Sequence, residues 1–275
     1  MNQLEYLPGI GGAAVQLDGP SSFVGIAENL RSREWSYELG YRDLVSATRQ
    51  AREVDVTFHA DYATADELRR VADADVTART PGVFVAQQEW KQRGYILASK
   101  PSDIHFGRLS TELTIALLDG AWWRLVSQSF FMDDETTTDE FLDYPHDYPF
   151  DYAKRATIAA VTPSVLVPSA VRLVIYGPAI NPYVIVGSNR YQVNVTVPAG
   201  GYLTVDGRDK TIMLTLADGT TQNVFSSGVR GGGQGGGTYI FEPIAAGTQS
   251  VAWDGSFGFD LGWYEEEGEP PWSLF

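Results

Sequence analysis

The sequence has no cysteine among its 275 residues. This absence excludes disulfide-stapled folds, thiolate zinc sites, iron–sulfur clusters and cysteine nucleophiles. Histidine is also scarce, with three residues in unrelated contexts, and neither a G-x-S-x-G nor an H-E-x-x-H motif is present. We therefore expect a protein that is not an enzyme and that has no catalytic residue, no metal site and no cofactor.

Basic residues are in the minority, because 20 Lys and Arg stand against 35 Asp and Glu, for a formal net charge of −15. Tight binding of nucleic acid needs cationic side chains against phosphate, so this balance disfavours a DNA- or RNA-binding protein. It does not hinder DNA that only passes nearby. No run approaches the ~18 apolar residues of a membrane span, so no membrane insertion is expected.

The first half of the chain is typical of strands arranged around one helix. Residues 53–59 (EVDVTFH) alternate between polar and apolar side chains, which predicts a half-buried strand. In the TADELRRVADAD stretch that follows, Thr64 and Glu67 have the spacing of a capping box at the start of a helix. Further strands are predicted at GVFVAQ, RGYILAS and RLSTELTIALL.

From about Thr157 onward, short strands alternate with turns at intervals that are typical of a sandwich or jelly roll. The predicted strands include RYQVNVTV, in which Tyr191, Val193, Val195 and Val197 alternate, and TYIFEPI. The glycine run RGGGQGGG (230–237) precedes a predicted strand and not a helix, so we interpret it as a loop between strands and not as a phosphate site. We expect two domains, 1–150 and 151–275.

The stretch YPHDYPFDY (144–152) lies at the expected domain boundary. Its prolines prevent a helix that would present metal ligands at i and i+4, which disfavours a site built on His146. We interpret it as a joint that prolines stiffen and tyrosines pack against both domains. The residues assigned to this interdomain joint are Tyr144, Pro145, Tyr148, Pro149 and Tyr152.

Tryptophans in the strand-rich half raise a different possibility, because a sugar ring can stack on an exposed aromatic face. The candidates are Trp253, Trp263 and Trp272. Large aromatic residues are more often part of a core, and Val251 and Trp253 alternate as a core face does. A carbohydrate-binding module, or lectin, that attaches to host cell-surface glycans remains one alternative function. A hydrolase with a β-sandwich appendage is the other, although the sequence has no nucleophile motif for it.

Two segments and their order resemble the distal tail protein (Dit) family of long non-contractile-tailed bacteriophages, whose members are components of the tail tip or baseplate hub. The first is EVDVTFHADYATADELRRVADAD, which resembles the N-terminal ring-forming domain of that family. The second is TYIFEPIAAGTQSVAWDGSFGFDLGWYEEEGEPPW, which resembles its galectin-like sandwich. The resemblance implies a mainly β fold, in which an N-terminal β-barrel or sandwich with one helix is followed by a C-terminal galectin-like jelly-roll sandwich.

The resemblance also implies a structural virion protein at the distal end of the phage tail. Six copies would form a ring between the tail tube protein on one side and hub, receptor-binding or baseplate proteins on the other, with the tape measure protein as a further partner. DNA would pass through the lumen without specific binding. Apolar segments near four tryptophans of the first half would supply the ring contacts, since surplus apolar surface marks an interface. These are Trp35, Trp90, Trp122 and Trp123.

Overall fold

A computed structural model of the chain describes residues 4–24, 28–132 and 157–270, and it confirms a mainly β protein with one long helix. The chain divides into two compact units: Met1–Arg124 with Glu266–Phe275, and Leu125–Glu265. We call them the first and the second unit. The boundary that the sequence predicts, between residues 150 and 151, lies outside the described residues and stays a prediction.

The elements that begin before residue 125 are mostly antiparallel strands. In chain order they are β1 Leu4–Leu7, β2 Val15–Gln16, β3 Ser22–Phe23, α1 Glu28–Arg31, β4 Ser36–Leu39, β5 Leu44–Thr48, β6 Arg52–Asp61, α2 Tyr62–Ala78, β7 Gly82–Ala86, β8 Trp90–His105, β9 Arg108–Leu117 and β10 Trp122–Phe130. The strands β3-β6-β9-β8-β7-β1-β2 are hydrogen-bonded neighbours in that order, while β4 and β5, among the strands that the structure describes, pair only with each other.

The strand β6 contains the alternating stretch that the sequence predicts. Val54, Val56 and Phe58 are buried, while the polar residues between them are exposed. Its full length pairs with β9, from Arg52 opposite Leu117 to Asp61 opposite Arg108. The prediction of a half-buried strand here is confirmed.

The helix α2 follows β6 directly, and its first residues correct the predicted capping box. Asp61, not Thr64, is the N-cap, because its carboxylate accepts a hydrogen bond from the Thr64 backbone N–H at 2.8 Å. The helix therefore begins two residues before Thr64. It ends at Ala78, where Arg79 adopts a left-handed conformation.

A buried carboxylate ties α2 to the start of the chain. Asp75 is fully buried and accepts a hydrogen bond from the Tyr6 hydroxyl at 2.6 Å. It also accepts bonds from the backbone N–H groups of Gly9 at 3.1 Å and Ile10 at 2.9 Å. Burial, together with the bond to Asp75, raises the pKa of the Tyr6 hydroxyl well above its usual range.

The elements that begin after residue 156 are short strands and one 3₁₀ turn. They are β11 Thr157–Val161, β12 Val171–Tyr176, β13 Ala179–Ile180, β14 Tyr183–Val186, β15 Asn189–Gln192, β16 Thr196–Val197, β17 Tyr202–Asp206, β18 Thr211–Thr215, β19 Thr221–Asn223, the 3₁₀ turn Phe225–Ser227, β20 Gln249–Trp253 and β21 Phe259–Glu267.

Two sheets of the second unit enclose one core, which makes it the predicted β-sandwich. One sheet has the order β19-β18-β17-β12-β21, and the other has the order β11-β20-β14-β15. Leu173, Leu203 and Phe259 point into the core from the first sheet. Val184, Val251 and Trp253 point into it from the second. The apolar side chains between the sheets are the main stabilising contribution to this unit.

Two strand predictions in this half are wrong. The alternating run from Tyr191 to Val197 is split between β15 and β16, because the backbone around Asn194 turns to bond the Ser227 carbonyl. TYIFEPI is irregular, although Ile240 and Phe241 are buried. Its apolar side chains therefore fill the core without strand geometry, which an apolar run alone does not distinguish from a strand.

Candidate assembly surfaces

The β4–β5 hairpin is exposed on both of its faces. We define it as residues 35–49, and nearly every side chain in it is exposed. Tyr41 at its turn is 92% exposed. The other large exposed apolar side chains of the hairpin are Trp35, Tyr37, Leu39, Leu44 and Val45.

The β4–β5 hairpin has little to stabilise it within the single chain. A two-stranded hairpin is marginally stable in water, and neither edge of this one pairs with another strand within residues 4–24, 28–132 and 157–270. Internal contacts hold its ends: the Arg49 guanidinium lies 4.9 Å from the Trp35 ring centroid, and the Gly40 backbone N–H donates to the Asp43 carbonyl at 2.9 Å. The exposed apolar side chains are therefore available to another protein surface.

The β8–β9 hairpin offers a second apolar projection. Up to Ile96, β8 alternates between buried and half-buried side chains, but from Leu97 to its end at His105 most side chains are exposed. The turn that follows carries Phe106, whose ring is fully exposed, next to the exposed Ile104. An apolar tip of this kind is typical of a contact surface and not of an isolated loop.

A groove of about 310 Å³ runs between α2 and the strands beside it in the first unit. Its floor is apolar and includes Leu68, Ile96 and Leu113. Its rim carries charged side chains of the helix, among them Asp66 and Arg69, which form an ion pair at 3.2 Å. The first unit thus has a concave apolar surface in addition to its projecting hairpins.

The structure separates the four tryptophans that were predicted to mark the interface. Trp90 and Trp122 are fully buried in the core of the first unit, so the prediction that they mark apolar surface at the interface is wrong. Trp123 is half-buried, with its indole N–H donating to Asp119 at 3.2 Å. Trp35 alone among the four is exposed, and it stands at the base of the β4–β5 hairpin.

The proposed sugar-stacking residues are core residues where the structure describes them. Trp253 is 3% exposed and Trp263 is 5% exposed, so neither ring offers a face to a ligand, which corrects their assignment as stacking platforms. Trp253 instead packs edge-on against Phe130 and Phe259. Trp272 lies outside the described residues, as does the whole predicted joint, that is Tyr144, Pro145, Tyr148, Pro149 and Tyr152.

The glycine run forms an ordered succession of turns. The Gly233 backbone N–H donates to the Arg230 carbonyl, and the Gly236 N–H donates to the Gly233 carbonyl. The Gly235 N–H donates to the Glu242 carboxylate at 2.9 Å, so the side chain of the protein occupies the position where a phosphate-binding loop would hold its ligand. The interpretation as a loop agrees with this geometry, although no strand follows it directly.

Within residues 4–24, 28–132 and 157–270, no group of three or more His, Asp or Glu side chains has the arrangement of a metal site. His59 bonds Ser110 at 2.8 Å, and His105 forms an exposed ion pair with Asp103 at 2.8 Å. In the same part of the chain, no helix has the length and the apolar character that crossing a membrane requires.

Comparison with solved structures gives the same fold in phage baseplate and hub proteins. A chain of the phage P2 baseplate, in its activated conformation with calcium, has a TM-score of 0.61 at 9% identity, over 98% of this chain and 100% of that one. The same baseplate with strontium gives 0.62 at 8% identity, over 98% and 100% of the two chains. Dit of phage SPP1, described as a paradigm of the hub adsorption apparatus in phages that infect Gram-positive bacteria, gives 0.52 at 11% identity, over 96% and 99%.

No family model matches the sequence, and no curated protein sequence matches it either. At identities of 8–11% the likeness shows the fold alone. The Dit-like fold that the sequence resemblance implies is thereby confirmed along nearly the whole chain.

Proposed function

We propose that the chain is a structural virion protein at the distal end of a long phage tail. The observation that carries this proposal is the β4–β5 hairpin, which exposes apolar side chains on both faces and pairs with no other strand of the described residues. A surface of this kind becomes stable when a neighbouring molecule covers it. The Dit-like fold, which this chain has in common with baseplate and hub proteins, supports a tail-tip role.

The assembly we propose is a hexameric ring of this chain. In this proposal the hairpin of one copy contacts a different part of the next copy, so that each contact is head-to-tail, and such contacts close into a ring when the rotation permits. The ring would join the tail tube protein to the tail-tip hub and the receptor-binding or baseplate proteins, with the tape measure protein as a further partner. DNA would pass through its lumen without specific binding, because a protein with a net charge of −15 attracts phosphate groups poorly.

A structural role requires no reaction chemistry, and we propose that the protein is not an enzyme. The three histidines, the absence of cysteine and the surfaces described above agree with this role.

The mass of the purified full-length protein in native mass spectrometry and sedimentation tests the ring. We expect a species of six times the 30.2 kDa chain. Replacing Leu39 and Tyr41 together with serine should abolish it, because the change removes the most exposed apolar contacts of the hairpin. Since neither side chain is buried, the melting temperature should stay within about 2 °C of that of the parent protein.

Ile180→Ser is the matched control, because Ile180 is an equally exposed apolar residue of the second unit. It should leave the hexamer intact. A hexamer that survives the double serine variant would refute the role of the hairpin. A tail-tip reconstruction that shows this chain in any arrangement other than a ring around the channel would refute the assembly itself.

A further inference from the structure

The second unit carries a row of aromatic side chains on the outer face of its β19-β18-β17-β12-β21 sheet. Tyr202 lies directly opposite Tyr176 on the neighbouring strand, and both rings are exposed. On the other side of Tyr176 is Gly258, whose carbonyl accepts the Tyr176 backbone N–H at 3.0 Å. Next to Gly258 lies the backbone of Phe131, whose ring is also exposed. We call Tyr202, Tyr176, Gly258 and Phe131 the aromatic row.

Alternation along the chain places the members of the row outside the core. Leu203 and Ile175, which adjoin Tyr202 and Tyr176, are buried in the core. Gly258 stands between two buried phenylalanines, and Phe131 follows the buried Phe130. Since successive side chains point to opposite faces of a strand, Tyr202 and Tyr176 face away from the core, and Phe131 is 81% exposed.

A hydrogen bond fixes the orientation of the central ring. The Tyr176 hydroxyl donates to the Asp260 carboxylate at 2.6 Å. Asp260 pairs with Val174, so it lies diagonally across the sheet from Tyr176. The bond therefore holds the Tyr176 hydroxyl beside Asp260, while Tyr176 remains 45% exposed.

Gly258 leaves a gap in the row between Tyr176 and Phe131. Phe131 directly follows the end of β10, and Gly258 directly precedes β21. A Cβ at Gly258 would lie 3.3 Å from the Phe130 carbonyl oxygen. The surface of the row at Gly258 is therefore backbone and carries no side chain.

We propose that the aromatic row binds a neutral glycan chain, with pyranose rings lying on Tyr176 and the neighbouring aromatic faces. A pyranose has a face of C–H groups and an edge of hydroxyls, and a ligand site for it combines aromatic rings with a few fixed polar groups. Asp260 supplies a hydrogen-bond acceptor beside the central ring, and Thr215, opposite Tyr202, supplies a hydroxyl.

The same groups select against other ligands. An anionic polysaccharide would meet the Asp260 carboxylate and the net charge of −15 of the chain. A neutral chain meets no such repulsion, and several copies on one particle would strengthen a weak single contact by avidity. This binding function is additional to assembly and does not depend on the ring.

Saturation-transfer NMR on the full-length protein tests the site. The probes are neutral hexasaccharides of glucose, mannose, galactose or rhamnose, with an alginate hexasaccharide as the anionic counterpart. We expect transfer to at least one neutral probe and none to alginate. Tyr176→Ala should lower the affinity for that probe at least tenfold, and Tyr202→Ala should lower it as well.

Tyr62→Ala is the matched control, because Tyr62 is 46% exposed and its hydroxyl is also hydrogen-bonded, but it belongs to the first unit. It should bind like the parent protein. Tyr176→Phe keeps the ring and loses only the bond to Asp260, so it should weaken binding by a smaller factor and remain informative if the alanine variant does not fold.

Three results would overturn the proposal. The first is the absence of transfer to every neutral probe. The second is an equal loss of affinity in the Tyr62→Ala and Tyr176→Ala variants. The third is a change of assembly mass in Tyr176→Ala, which would make the aromatic row a contact between protein chains.

Discussion

Replacing the buried Asp75 with asparagine tests how the first unit holds the start of its chain. The carboxylate accepts bonds from the Tyr6 hydroxyl and from the backbone N–H groups of Gly9 and Ile10. One oxygen serves Tyr6 and Gly9, and the other serves Ile10. An asparagine has a single oxygen, so its NH₂ group must face at least one of these three donors.

The magnitude follows from the number and kind of these bonds. A hydrogen bond to a charged group contributes about 1.5–3 kcal/mol, and a neutral one contributes about 0.5–1.5 kcal/mol. In the asparagine variant, two of the three hydrogen bonds go to a neutral oxygen, and each then contributes about 1 kcal/mol less to stability. The third donor is buried without a partner, which costs a further amount of about 1–3 kcal/mol. Removing a buried charge recovers part of this loss, so we expect Asp75→Asn to lower the free energy of unfolding by about 2–4 kcal/mol.

Urea unfolding measures this loss, and hydrogen exchange at residues 4–10 shows where it acts. Asp73→Asn is the matched control, because Asp73 is an exposed aspartate of the same helix and should change stability by less than about 0.5 kcal/mol. Tyr6→Phe should also destabilise the protein, and by less in the Asp75→Asn background, since the two share one bond. A loss below 1 kcal/mol, or an equal loss in the control, would refute this account.

Three further predictions concern single contacts. Burial, followed by its bond to Asp206, raises the pKa of the Tyr264 hydroxyl. The contribution of Tyr264 to stability is therefore complete below the pKa of tyrosine in the unfolded chain, which is about 10, and it is lost as the pH rises above that value. Tyr264→Phe should thus reduce the loss of stability at alkaline pH, which melting curves recorded at several pH values would show. Asp61→Ala removes the N-cap of α2 and should lower the free energy of unfolding by about 1 kcal/mol, which an unchanged urea midpoint would contradict. Gly94→Ala would place a Cβ 2.5 Å from the Ala116 carbonyl oxygen, so we expect the free energy of unfolding to fall by more than about 2 kcal/mol in urea unfolding. A fall of less than about 1 kcal/mol would contradict the close approach of the two backbones.

Periodic stretches are the part of the fold that the sequence predicts well. The alternation in EVDVTFH gives β6 and its buried face, because a strand with one face on the core must place apolar side chains at every second position. The sequence also predicts that the next segment is a helix, but it does not predict the residue at which the helix begins. Asp61 ends a strand and caps a helix at once, and only the backbone shows which residue bonds the free N–H groups.

Exposure is the part that the sequence does not predict. Trp35 and Trp90 occur in similar polar surroundings along the chain, yet one is exposed on a hairpin and the other is buried, because tertiary contacts decide which apolar side chains are covered. The β4–β5 hairpin had a usable signal, since Gly40 and Asp43 lie at a turn between two short strands. The aromatic row had no such signal, since its four members come from four distant parts of the chain.

The two units expose their apolar side chains in different ways, and this difference predicts that assembly and glycan binding are separable. The first unit presents them on projecting hairpins, and a projecting segment suits contact with a neighbouring chain. The second unit presents tyrosines on a sheet face whose backbone is fixed by pairing on both sides, and a rigid platform suits a small ligand.

A single pair of variants, each measured in both assays, tests this separation. The Leu39 and Tyr41 double serine variant should lose the hexamer and keep the affinity of each chain for the neutral hexasaccharide. Tyr176→Ala should do the reverse. If both variants lose both the hexamer and the affinity for the hexasaccharide, the hairpin and the aromatic row belong to one surface. The proposal that the two units have separate functions would then be wrong.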